Sequence, residues 1–256
     1  MTFVVIIPAR YGSTRLPGKA LREIAGEPMI SHVYRCAIES GAEEVIVATD
    51  DERIQTAAER FGAQVCMTSA DHPSGTDRIA EVVDRKGFTA DQIVVNLQGD
   101  EPLMPAALVR QVAETLASSG TEAATLCERI RVPAEVFDPN VVKVVMDLCG
   151  NAIYFSRAPI PWDRDAFGSV PTALSPSIQY HRHIGMYAYR AAFVRDFVSW
   201  PACMPEEAER LEQLRILWNG AKIRVAQACE APGQGVDTEE DVARAERILA
   251  QLKAPG

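Results

Sequence analysis

The chain opens on five successive apolar positions, Phe3, Val4, Val5, Ile6 and Ile7. An unbroken run fits a strand covered on both faces, as in a parallel sheet, because a strand with one wet face alternates. Pro8 is expected to end it. Residues 28–40 follow a helical period, with Met29, Ile30, Val33, Ala37 and Ile38 on one face and Gly41 as the stop; His32 within it is read as structural. VIVAT (45–49) predicts a second strand. Asp50 and Asp51 are then expected to cap a helix over 52–61 that Gly62 terminates. QVCM (64–67) reads as another strand, and a helix reaching Lys86 starts from the polar turn TSADHPSGTDR (68–78). Strand and helix alternating at this spacing predict a parallel sheet with right-handed crossovers.

The pattern loosens in the second half. Residues 125–130, 141–146, 152–156 and 183–190 predict strands, separated by the turn SRAPIPWDRD (156–165) and a long patternless loop (167–177), read as a flap or an oligomer contact. His183 and Tyr187, four apart on a strand, share a face. Helices are expected at 191–198 and 206–218, the latter offering Leu211, Leu214, Ile216, Leu217 and Trp218 for packing. A last strand (222–228) leads to a helix capped by Thr238, with Asp241 at its third position completing a capping box. No internal repeat interrupts this plan.

Composition narrows the classes. The 256 residues fit one large α/β domain, or one with a smaller lobe. A net charge of -9 argues against nucleic acid as a whole-surface partner, so clustered cations mark a local pocket. Six cysteines without a C-x-x-C pair read as reduced thiols, neither a disulfide framework nor a zinc site. No apolar run approaches the roughly 18 to 20 residues of a membrane span, and the N-terminus lacks the pattern of a signal segment; a cytoplasmic protein is expected, with no membrane partner.

Two stretches carry chemistry. After the first strand, residues 9–21 combine two glycines, a proline, Ser13, Thr14, Arg10, Arg15 and Lys19. Inward-turned backbone N–H groups and three converging cations suit a polyanion such as a nucleoside triphosphate. It is not a Walker loop. Five residues separate Gly12 from Gly18 where that pattern has four, and Ala20 replaces its magnesium-binding hydroxyl. The second stretch, IVVNLQGDEP (93–102), sets Asp100 and Glu101 just beyond a buried strand, at the sheet edge where open α/β folds bind ligands. An acid there, opposite Arg15 and Lys19, can hold a Mg²⁺ that bridges phosphates, although either carboxylate could instead cap the helix after Pro105. Ser74, Gly75 and Thr76 could read the edge of a base, or Ser74 and Thr76 could simply cap their helix. Asp237 is either a helix-start acid or a second metal ligand.

Taken in order, IPARYGSTRLPGKAL (7–21), VIVATDDE (45–52), SGTDR (74–78), VNLQGDEP (95–102), YFSRAPIPWDRD (154–165), HIGMYAYR (183–190), LEQLRILWNG (211–220) and PGQGVDTEED (232–241) resemble the 3-deoxy-D-manno-octulosonate (Kdo) cytidylyltransferases, also called CMP-Kdo synthetases. The resemblance implies a Rossmann-like nucleotidyltransferase fold, a mostly parallel sheet with helices on both faces, and a small dimerisation lobe at roughly 150–200 within a single domain spanning 1–256. It implies transfer of CMP from CTP to the anomeric 2-hydroxyl of Kdo, releasing pyrophosphate and activating the sugar acid for lipopolysaccharide synthesis, with Mg²⁺ as cofactor and a homodimer as the assembly. Position by position, it implies Arg10, Ser13, Arg15 and Lys19 at the triphosphate and Ala9, Ser74, Thr76 and Arg78 around the cytidine. Gln98, Arg157, His183, Tyr187, Glu212 and Gln213 would contact the sugar acid, and Asp100 with Asp237 would hold the metal. Lys19, Arg15, Asp100 and Asp237 are the residues on which catalysis is expected to rest, with no side chain standing out as a general base. Ala20 departs from a proline common in the family, and residues 167–182 match poorly. The readings that compete are a cytidylyltransferase for another 2-keto sugar acid, such as sialic acid or an amino-Kdo, and a catalytically silent nucleotide-binding module.

Overall fold

The computed structural model describes residues 1–12, 16–168 and 173–253. Its first strand, β1 (Phe3–Ala9), is buried along its whole length, and its side chains divide between two cores. Phe3, Val5 and Ile7 face one, while Val4 and Ile6 face the other. Pro8 does not end the strand, contrary to the expectation. The carbonyl of Ile6 accepts from Leu97 N, so Pro8, two residues on, turns its nitrogen to the same side, where the neighbouring strand has already stopped at Asn96. No ladder donor is needed there, and the pairing of Pro8 with Ala48 on the other side continues.

A tight hairpin, β2 (Glu23–Ile24) and β3 (Glu27–Pro28), leads into α1 (Met29–Glu39). Then follow β4 (Glu44–Thr49), α2 (Glu52–Arg60), β5 (Gln64–Met67), α3 (Gly75–Lys86), β6 (Ile93–Asn96), α4 (Ala106–Ala117), β7 (Ala123–Arg129) and α5 (Pro133–Phe137). The remainder is β8 (Lys143–Met146), β9 (Ala152–Ser156), β10 (His181–Arg190), α6 (Ala191–Ser199), α7 (Met204–Glu209), α8 (Leu214–Trp218), β11 (Ile223–Gln227) and α9 (Glu239–Lys253). The main path of the sheet runs β11-β7-β10-β6-β1-β4-β5. Along it only β10 is antiparallel to its neighbours; every other pairing is parallel. The hairpin β8–β9 joins through Lys143, which pairs with Arg182 of β10.

Helices α1, α2 and α4 cover one face with Ile30, Val33, Ile54, Leu108 and Val112; α3, α6 and α8 cover the other with Ile79, Val82, Phe193, Phe197 and Ile216. Each such side chain contributes about 1.5–3 kcal/mol on burial, and this two-sided cover is why β1 and β6 carry no polar alternation. His32 is structural as expected: it is buried with Nε2 2.8 Å from the Ile24 carbonyl. A satellite cluster of Ile130, Val136, Phe167 and Tyr180 anchors both ends of the loop expected at 167–177.

Two further expectations change. Asp51 alone caps α2, accepting from Arg53 N at 2.9 Å, whereas Asp50 turns away to pair with Arg78 Nη2 at 3.0 Å. The single helix expected over 206–218 is two, α7 and α8, broken at Arg210, which adopts a left-handed backbone with φ 53°. That conformation costs a residue with a Cβ about 1–2 kcal/mol. Burial of Leu211 and Leu214 beyond the break offsets it.

Candidate active site

Strands β1 and β6 are parallel neighbours, so the turns leaving their C-terminal ends open on the same edge of the sheet. After β1 the chain reverses at Gly18, whose φ of 65° favours glycine and whose N–H donates to the Tyr11 carbonyl at 3.2 Å. A 3₁₀ turn, Lys19–Leu21, follows and aims Lys19 back over the sheet edge. After β6, Gln98, Gly99 and Asp100 come up beside it. The Lys19 ammonium lies 2.6 Å from Asp100 Oδ2 and 2.7 Å from Asp237 Oδ1, so the two segments face one another as expected.

Asp237 arrives from the far end of the chain. Helix α9 and the turn before it pack Val236, Val242 and Ala245 on Leu16, Ile24 and Met29, and Val236 N donates to the Asp100 carbonyl at 2.9 Å. The expected capping box forms there: Thr238 N donates to Asp241 Oδ2 (3.0 Å) and Asp241 N to Thr238 Oγ1 (3.3 Å). Asp241, not Asp237, therefore serves the helix start, leaving Asp237 to Lys19. Asp100 and Glu101 are likewise no caps, since α4, with Pro105 as its N-cap residue, has no side-chain cap.

The electrostatics follow from this crowding. Burial by itself lowers the Lys19 pKa, but the charges and hydrogen bonds of Asp100 and Asp237 outweigh it and the net shift is upward. Glu101 is pushed up to about 8, by burial first and then by the charges of Asp100 and Asp237. Magnesium takes oxygen ligands and commonly only one or two carboxylates besides water and phosphate. Asp100 and Asp237, two carboxylates converging on the one Lys19 ammonium, fit that requirement in ligand type and number. Among the described residues no group of three His, Cys, Asp or Glu side chains forms a metal cluster.

Around this centre lies a cavity of about 290 Å³ lined by Ala9, Arg10, Lys19, Ser74, Arg78, Gln98, Asp100 and Asp237, with Pro8, Ala20, His72, Pro73, Gly75 and Gly99 between them. Its far wall is the start of α3. Ser74 is the helix cap, its hydroxyl oxygen accepting from Thr76 N (3.1 Å) and Asp77 N (3.2 Å). Arg78, only 4% exposed, is held by Asp50 and the Thr68 hydroxyl. Gln98 donates from Nε2 to Asn96 Oδ1 at 2.8 Å, which fixes the orientation of its amide. Ser13 and Arg15, expected at the triphosphate, lie outside the described residues.

The remaining residues expected at the sugar acid are not among those that line the cavity. Thr76, itself buried, and Ser74 each place a hydroxyl 3.0 Å from one oxygen of Glu212. Burial raises the Glu212 pKa, and those two hydroxyls oppose the rise. Gln213 is buried beside it. Tyr187 pairs with Asn96 across the sheet, and the rings of Tyr187 and Phe155 lie 5.3 Å and 4.9 Å from that of His183. Burial pushes His183 down to about 3, so it is neutral at ordinary pH and can hydrogen-bond but not supply positive charge. Arg157 sits further along, at the end of β9, donating from Nε to the Glu209 carbonyl (2.6 Å) and from Nη1 to the Pro139 carbonyl (2.8 Å).

Sequence reading passed over Asn96, Glu209 and Lys143, and gave Asp50 a capping role in place of its pairing with Arg78. Lys143 is fully buried, its ammonium enclosed by the carbonyls of Asp138 (2.8 Å), Val141 (2.5 Å) and Arg157 (2.6 Å). A lysine inside the apolar run VVKVVM was the available signal, since lysine is seldom fully buried without partners.

Residues 4–223 match the family model described as Cytidylyltransferase. A 3-deoxy-manno-octulosonate cytidylyltransferase from Pasteurella multocida (strain Pm70) is 56% identical over 253 residues, covering 96% of this chain and 98% of the relative. Its counterpart from Aeromonas salmonicida (strain A449) is 55% identical, covering 98% and 100%. Among solved structures, a CMP:2-keto-3-deoxy-manno-octonic acid synthetase complexed with CTP superposes with a TM-score of 0.88 at 42% identity, covering 98% of this chain and all of that one. A nucleotidyl transferase from Methanothermobacter thermautotroptrophicus, 14% identical with a TM-score of 0.63, shares the fold.

Proposed function

Because the chain belongs to the cytidylyltransferase family, we propose that it is a 3-deoxy-manno-octulosonate cytidylyltransferase, converting CTP and Kdo into CMP-Kdo and pyrophosphate. The observation that carries this reading is the meeting of Lys19, Asp100 and Asp237 at the mouth of a cavity walled by the cap of α3. A cation flanked by acids suits a triphosphate end, and the small hydroxyls and backbone at residues 74–76 suit a base edge.

In the reaction the 2-hydroxyl oxygen of Kdo attacks the α-phosphorus of CTP in line; the bond to the β-phosphate breaks, pyrophosphate leaves and the hydroxyl proton is released. The protein does no covalent work, so its residues act by positioning and by neutralising charge. Lys19, with Arg10 and Arg15, binds and steadies the phosphates. Ala9, Ser13, Ser74, Thr76 and Arg78 shape the nucleotide pocket. Gln98, His183, Tyr187, Glu212 and Gln213 orient the sugar acid, and the planar fork of Arg157 pairs with its carboxylate. Asp100 and Asp237 would hold Mg²⁺, which when bound neutralises charge on phosphate oxygens.

The setting is proposed to be cytoplasmic, feeding lipopolysaccharide synthesis; among the described residues no helix is long and apolar enough to cross a membrane. The protein is proposed to act as a homodimer through the lobe at roughly 150–200. Ile153, Tyr154 and Trp162 leave apolar side chains exposed in that stretch, which supports such a contact. The test of the activity is pyrophosphate release from CTP with Kdo, sialic acid and no acceptor in parallel; silence with Kdo in the presence of Mg²⁺ refutes it.

A further inference from the structure

Arg157 is held through its backbone as well as through its side chain. Glu209, the last residue of α7, brings its carboxylate against the end of β9, where Oε1 accepts from the Ser156 hydroxyl at 2.7 Å and Oε2 from Arg157 N at 2.6 Å. Its main-chain carbonyl then accepts from Arg157 Nε at 2.6 Å. The buried Lys143 ammonium donates to the Arg157 carbonyl at 2.6 Å. An acid at a helix C-terminus opposes the helix dipole, and these charge-assisted bonds offset that cost.

Glu209 also precedes the left-handed break at Arg210, after which Glu212 reaches Ser74 and Thr76 at the wall of the cavity. One residue thus ties the Arg157 turn to the segment that carries Glu212 and Gln213. With Nε and Nη1 directed to carbonyls, the other N–H groups of the guanidinium are left for an anion.

We propose that Glu209 is the positioning residue of the sugar-acid half of the site: it clamps the Arg157 backbone so that the guanidinium meets the substrate carboxylate. The inference rests on the reading of Arg157 given under the proposed function. Glu209 touches no reacting atom and acts through Arg157.

The experiment measures steady-state pyrophosphate release by the full chain and by Glu209→Ala, Glu209→Gln, Arg157→Ala and the Glu209→Ala/Arg157→Ala double variant. Glu209→Ala is expected to raise the KM for Kdo about 10- to 100-fold, the scale for a misplaced binding group, with the KM for CTP within about twofold of wild type. Glu209→Gln, which keeps an acceptor oxygen, recovers part of that loss and serves as the readout if the alanine variant does not fold. Because Glu209 works through Arg157, the double variant is expected within about twofold of Arg157→Ala alone. Equal rises in both KM values, no rise for Kdo, or full additivity in the double variant overturns the proposal while leaving the activity in place. A wild type that binds CTP yet is silent with Kdo overturns the underlying reading, and the proposal with it.

Discussion

Replacing Asp100 by asparagine removes one charge and almost no volume, which makes it a direct test of the acidic pair around Lys19. In the folded protein Asp100 Oδ2 and Asp237 Oδ1 share one ammonium at 2.6 and 2.7 Å. The Lys19 side chain is 13% exposed and that of Asp100 37%, so water screens the pair and it contributes at most about 1 kcal/mol to stability. For a chain of this size that shifts the melting temperature by only about 2–4 °C. In catalysis the same charge works where phosphate charge develops, and removal of such a group costs about 100-fold or more in turnover, or about 3 kcal/mol. Pyrophosphate release at saturating CTP and Kdo with Mg²⁺, run beside thermal unfolding, separates the two. Turnover within about threefold of wild type and an unchanged melting temperature would refute the electrostatic role. A large loss of thermal stability would assign Asp100 to structure instead.

The burial of His183 makes a prediction about acid. Its pKa in the folded chain, about 3, lies below the ordinary 6.5, so between those values the unfolded chain binds a proton that the folded one refuses. Stability is present in full above about pH 6.5 and falls as the pH drops towards 3, at about 1 kcal/mol per pH unit at the steepest. Urea denaturation at pH 7 and pH 5 is expected to show a smaller loss for His183→Gln than for wild type; parallel losses would contradict it. At the helix break, Arg210→Gly is expected to stabilise the chain by about 0.5–1 kcal/mol, since glycine accepts φ 53° without the Cβ penalty but loses more backbone entropy on folding. A lower urea midpoint in that variant would mean that the arginine side chain, not its backbone, matters at the break.

What could be read from sequence was whatever depends on near neighbours. The unbroken apolar run of β1, the helical period of α1, Asp51 as the cap of α2, Ser74 as the cap of α3 and the Thr238–Asp241 box all follow from contacts within a few residues. So did the edge on which the site opens: parallel strands deliver the turns after β1 and β6 to one side, which put Lys19 and Asp100 in reach of each other. Eight ordered motifs then named the family, and its model spans most of the chain.

Tertiary structure decided what depends on distant partners. Asp237 was even between two roles in the sequence because its cation lies 218 positions away, and only the docking of α9 on Ile24 and Met29 brings them together. Asp50 had the composition of a cap, but a buried arginine on α3 claimed it. Residues 206–218 carried an unbroken helical pattern that burial of Leu211 and Leu214 overrode at Arg210, and that break is what carries Glu212 to Ser74 and Thr76. Local propensity is worth tenths of a kilocalorie per residue, whereas a buried side chain or an ion pair left unmade costs whole ones, so the long-range term prevails wherever the two conflict.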